Sequence, residues 1–89
     1  MAQAILKITG TVQGVFYRAH AKEKAQTLGI TGYAKNMPDG SVEILAQGER
    51  DKIEKLIEWC SEGPDASQVD NVEAEWREPQ GKPEEFEIL

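Results

Sequence analysis

The positions that most constrain this chain are those where its apolar period changes. Ala4, Leu6, Ile8, Gly10 and Val12 fall on one face of a period-two pattern, with Lys7, Thr9 and Thr11 on the other, which predicts a half-buried strand. Past Arg18, the residues Ala21, Ala25 and Leu28 recur at helical spacing among Lys22, Glu23, Lys24 and Gln26, and Gly29 is placed to end the helix. Between the two lies Thr11-Val12-Gln13-Gly14-Val15-Phe16-Tyr17-Arg18. A chain that leaves a strand through a glycine and enters a helix presents several backbone N–H groups without intrachain partners, converging at the helix's positive end. Such a loop is an anion site. Arg18 at its rim adds a planar, permanently charged fork that can take two phosphate oxygens at once, so the expected ligand is a small phosphate.

Further along, Ile30 to Asn36 is rich in β-compatible residues, Asn36-Met37-Pro38-Asp39-Gly40 carries turn chemistry, and Ser41 to Ala46 alternates again, which reads as a hairpin. Gly48-Glu49-Arg50-Asp51 opens a second helix with acids in its first turn, and Ile53, Leu56, Ile57 and Cys60 follow at i, i+3, i+4, i+7 until Gly63-Pro64 stops it. Val69 to Trp76 predicts another strand, Pro79 to Pro83 a loop, and Phe86 and Ile88 alternate near the end. The order strand, helix, strand, strand, helix, strand, with a short extra strand, points to an α+β fold. The order suggests the ferredoxin-like, split βαβ sandwich, with an expected antiparallel sheet of four to five strands and two helices on one face. That architecture serves metal carriers, RNA binders and enzymes alike, so function has to be read from the site.

Composition narrows the field. With 89 residues the chain has room for one domain, 1–89, and one core. A formal charge of −6 disfavours a nucleic-acid duplex or an anionic membrane surface as partner, since both are bound through clustered Lys and Arg. The single cysteine, Cys60, excludes an intrachain disulfide and a multi-cysteine metal site, and one histidine adds no ligand-like spacing. No apolar signal-peptide core or membrane-length segment is present, so the expected location is the cytoplasm. Walker A and GxGxxG patterns are absent, leaving nucleotide binding without support.

The loop Gly10 to Arg18 and the later run Gly32-Tyr33-Ala34-Lys35-Asn36-Met37-Pro38-Asp39-Gly40-Ser41-Val42, closing at Gly48, resemble the two signature motifs of the acylphosphatase family. The resemblance extends over the whole chain and implies hydrolysis of carboxyl-phosphate mixed anhydrides to a carboxylate and inorganic phosphate, without metal or other cofactor. By that resemblance the loop backbone of Gln13, Gly14, Val15, Phe16 and Tyr17 cradles the substrate phosphate. Arg18 is the phosphate-binding catalytic arginine, and Asn36 holds the attacking water. The implied partners are a small acyl phosphate and inorganic phosphate as product or inhibitor, with the chain a monomer.

The chemistry suits these residue types. An acyl phosphate already carries a good leaving group, so catalysis asks for positioning and charge compensation rather than a strong general acid. Asn36 is no base, but its amide can orient a water, whose proton then passes to a substrate phosphate oxygen. Other residues read more plainly as structure. His20, on the first turn of the first helix, suits a surface or capping role, Cys60 and Trp59 and Trp76 suit packing, and the glutamates from Glu73 to Glu87 suit a solvated strand face. The alternatives are a phosphate- or carbamoyl-phosphate-binding module without turnover, and a ferredoxin-like interaction domain.

Overall fold

The computed structural model describes residues 1–89. The elements are β1 (Ala2–Thr11), α1 (Tyr17–Thr27), β2 (Thr31–Asn36), β3 (Val42–Gly48), α2 (Arg50–Glu62), β4 (Gln68–Arg77) and β5 (Phe86–Ile88). The alternation in β1 sends Ala4, Leu6 and Ile8 into the core, where each is fully buried. Both helices cover this same face, α1 over β2 and β5, α2 over β4 and β1. Helix α1 approaches closely because its buried positions past the first turn are the small residues Ala21 and Ala25. Ile53, Leu56 and Cys60 form the buried stripe of α2. Gly29, at φ 71°, follows the C-cap of α1, and Gly63, at φ 68°, caps α2.

The strands lie in the order β4-β1-β3-β2-β5. The β1–β3, β1–β4 and β2–β3 ladders are antiparallel, as expected, but the terminal strand is not: β5 pairs parallel with β2, through Gly32 with Phe86 and Ala34 with Ile88. Chain direction explains it. Since β4 runs opposite to β1, it ends at the edge of the sheet where β1 begins, and the chain must cross there before turning back alongside β2. Gln3 and Gln47, buried and paired across the ladder, hold this crossing: Gln3 Oε1 accepts from Gln80 N at 3.0 Å, and Gln47 Nε2 donates to the carbonyls of Gln80 and Gly81. Strand β5 then delivers Ile88 and Leu89 to the opposite edge, where β1 ends and α1 begins.

Gly32 shows how tightly β2 is set. A Cβ built there would lie 1.8 Å from the Leu45 carbonyl oxygen, so the close approach of β2 to β3 requires glycine. No helix of the chain is long and apolar enough to cross a membrane.

Candidate active site

Where β1 gives way to α1, residues 12–16 form a loop in which Gly14 and Phe16 both take positive φ, 75° and 61°. Turns of this kind direct main-chain N–H groups into a concavity suited to an anion. Helix α1 leaves that concavity unneutralised. Its N-cap, Phe16, makes no side-chain hydrogen bond to the first turn, and the first turn carries no acid. Helix α2, by contrast, places Asp51 in its first turn. The positive end of α1 is therefore unclaimed by any side chain of its own first turn.

A cleft of about 230 Å³ opens at this point. From the loop and helix it is lined by Gly14, Phe16, Tyr17 and Arg18, and from the far side by Asn36 and Ile88. Five residues singled out in the sequence thus meet in one hollow, although Asn36 lies on a different strand. The remaining two, Gln13 and Val15, do not line it. The Gln13 side chain turns to the β2–β3 hairpin, where Nε2 donates to the carbonyls of Met37 and Ser41, both at 2.9 Å. It ties the loop to the turn that follows Asn36. Val15 is half-buried against the core.

Arg18 is half-buried, and its Nη1 donates to the main-chain oxygen of Leu89 at 2.8 Å. Asn36 is also half-buried, and its Oδ1 is shut off from solvent without a hydrogen-bond donor. Buried acceptors are nearly always hydrogen-bonded, so an unpaired one on a residue that lines the cleft is an exception that calls for an explanation. Ile88 and Leu89 had no place in the sequence-derived site, because their arrival depends on the parallel pairing of β5. Their only signal was the short alternation at Phe86 and Ile88.

A profile of the acylphosphatase family matches residues 4–88. The chain belongs to the acylphosphatase family. An acylphosphatase of Pelotomaculum thermopropionicum is 41% identical over 87 residues, covering 98% of this chain and 95% of the relative. The crystal structure of an acylphosphatase from Bacillus subtilis superposes with a TM-score of 0.96 at 29% identity, over 100% of this chain and 99% of that one. The fold also recurs inside a larger protein. A full-length HypF, solved in its phosphate- and nucleotide-bound form, matches with a TM-score of 0.91 at 27% identity over 99% of this chain, which spans 12% of that protein.

Around this acylphosphatase cleft the charges are locally fixed. Asp39, on the hairpin turn, accepts from the hydroxyl and main-chain N–H of Ser41 and pairs with Lys7 at 3.2 Å; these bonds, Ser41 first, lower its carboxyl to about 2. Tyr17 is buried, and its hydroxyl donates to the Cys60 carbonyl at 2.9 Å, anchoring the first turn of α1 to the last turns of α2. Burial raises its pKa well above the ordinary tyrosine value, and burial likewise pushes the Cys60 thiol up to about 12. Neither group is available for proton transfer near neutrality. His20 is exposed beside Glu23 at 3.5 Å, in the surface position its place on the helix implied.

Proposed function

We propose that this chain hydrolyses acyl phosphates in the cleft between the 12–16 loop and Asn36, with Arg18 and the first-turn N–H groups of α1 holding the phosphoryl oxygens. Water attacks phosphorus in line, a new P–O bond forms, and the bond from phosphorus to the carboxylate oxygen breaks. The carboxylate leaves with the electron pair and inorganic phosphate remains. As the P–O bond breaks, charge on the phosphoryl oxygens is met by the guanidinium and by preorganised N–H dipoles, which is where such a site gains most of its rate. The Asn36 amide orients the water with a lone pair toward phosphorus, and a water proton passes to a phosphate oxygen of the substrate. Inorganic phosphate, fitting the same donors, is both product and inhibitor.

The observation that carries this reading is the convergence of Arg18 and Asn36 on one cleft at the uncapped positive end of α1. A single protomer supplies both residues, which supports a monomer. The acidic surface charge and the unpaired, buried Cys60 accord with a cytoplasmic, single-domain protein. The recurrence of the fold within a larger phosphate-bound protein favours one second reading, a phosphate- or carbamoyl-phosphate-binding module without turnover.

Hydrolysis of benzoyl phosphate in the presence of a chelator decides between them. The expected result is turnover by the wild type, reduced roughly 100- to 1,000-fold in Arg18→Ala and in Asn36→Ala. Phosphate binding that protects the fold, with no turnover by the wild type, would replace the hydrolase reading with the binding module.

A further inference from the structure

Phe16 is the only non-glycine residue of the chain with a positive φ, and its side chain is 79% exposed. Left-handed backbone is disfavoured for a bulky L-residue, and an exposed ring returns little burial energy, so the fold alone does not account for it. Its surroundings do. Phe16 lines the phosphate cleft and also a second, open groove of about 460 Å³ beside it. Val15, His20 and Trp59 form part of the groove's wall, and Pro64 and Ala66, in the loop leaving α2, form the rest. Trp59 is fixed in place, since its ring meets Tyr17 at 5.5 Å between centroids and Tyr17 is itself tied to Cys60.

We propose that this groove receives the acyl half of the substrate and selects a flat, uncharged, aromatic acyl group. The proposal rests on the reading of the neighbouring cleft as the phosphate site. One bridging oxygen joins phosphorus to the acyl carbon, so the acyl group must lie directly against the phosphate cleft, and Phe16 is the wall the two hollows share. Phe16 and Trp59 offer ring surfaces for offset or edge-to-face contact with a planar group. Asp65, which also lines the groove, opposes a second carboxylate on the acyl chain.

Binding tests this apart from turnover. The chain has two tryptophans, and Trp76 lies against Arg50 at 4.1 Å in a different hollow, so Trp76→Phe leaves Trp59 as the only indole. In that background, benzoylphosphonate, whose P–C bond is not hydrolysed, is titrated against acetylphosphonate while Trp59 emission is read. Expected is a saturable change with benzoylphosphonate, binding about ten-fold tighter than acetylphosphonate. Ala66→Phe, at an exposed turn, fills the groove, and Phe16→Gly keeps the positive φ while removing the ring. Each should bring the two ligands to within about two-fold of one another. Equal binding in the parent, or a preference that survives both substitutions, overturns the proposal. Acetyl phosphate turnover, measured alongside, reports on hydrolysis itself. Selectivity without hydrolysis would sink the hydrolase reading and leave the groove standing, and hydrolysis without selectivity would do the reverse.

Discussion

Arg18 Nη1 donates to the main-chain oxygen of Leu89 at 2.8 Å, joining the start of α1 to a residue 71 positions later. Leu89 is itself held by its N–H, which donates to Ala34 O at 2.9 Å. The guanidinium is thereby aimed by a neighbour that β5 carries in, with its other N–H groups left for the proposed phosphate. Leu89→Pro removes the N–H that pins this neighbour without shortening the chain. Steady-state kinetics should then show kcat/KM about ten-fold lower, with the fold otherwise retained, because small misplacements of a charged arm are costly. Arg18→Lys should lose far more, since an ammonium cannot meet Leu89 and a phosphate through one planar fork. Unchanged kinetics in Leu89→Pro would make the contact incidental to catalysis.

Asn36 carries the opposite signature, a polar group with too few partners. Its buried, unpaired Oδ1 burdens the free protein, and Asn36→Ala removes that burden together with the proposed water ligand. Urea unfolding should therefore show Asn36→Ala more stable than wild type by about 1 kcal/mol, while kcat falls roughly 100-fold or more. Loss of stability together with activity would mean that Asn36 serves the fold rather than the reaction.

Gln13 serves the site from outside it. Its Nε2 spans two hairpin carbonyls, Met37 O and Ser41 O, and so ties the 12–16 loop to the turn after Asn36. Gln13→Glu presents an acceptor to two acceptors, which favours the protonated acid and raises its pKa in the folded state above the ordinary glutamate value of about 4.3. A carboxyl group whose folded pKa is raised is penalised above that pKa, so this variant should be less stable than wild type at pH 7 and regain stability as pH falls toward 4. Thermal melts across that range check it; a stability difference that does not move with pH would mean the carbonyls tolerate the carboxylate.

The parts of this architecture written in local pattern were legible in the sequence. The alternation of Ala4, Leu6 and Ile8, the stripe Ile53, Leu56 and Cys60, and the glycines ending each helix all specify their elements within a few residues, so element order and the two-layer fold followed. The direction of β5 was not legible. Three residues carry too little alternation to show which strand they will join, and the parallel pairing follows from where β4 releases the chain. For the same reason Ile88 and Leu89 could not be placed beside Arg18. The strain at Phe16 was equally hidden, because nothing in the identity of a phenylalanine signals a left-handed backbone.

The Tyr17–Cys60 contact makes a prediction about alkaline stability. Burial raises the pKa of both groups in the folded state, Cys60 from 9.0 to about 12 and Tyr17 above 10.0. When the folded pKa lies above the unfolded one, the folded state retains its proton while the unfolded state loses it. The resulting stability is complete below the unfolded pKa and is lost as pH rises. Unfolding free energy should therefore decline from about pH 9 upward. Tyr17→Phe gives up the hydrogen bond to Cys60 O, costing about 1 kcal/mol at neutral pH, but it also removes one of the ionisations that drive the decline. Tyr33, whose pKa is also raised by burial and by Glu43, remains in both proteins and does not enter their difference. Urea unfolding between pH 7 and 11 should thus show the wild type and Tyr17→Phe converging above pH 10. Parallel curves would mean that Tyr17 does not ionise on unfolding in this range, and that the alkaline limit is set elsewhere.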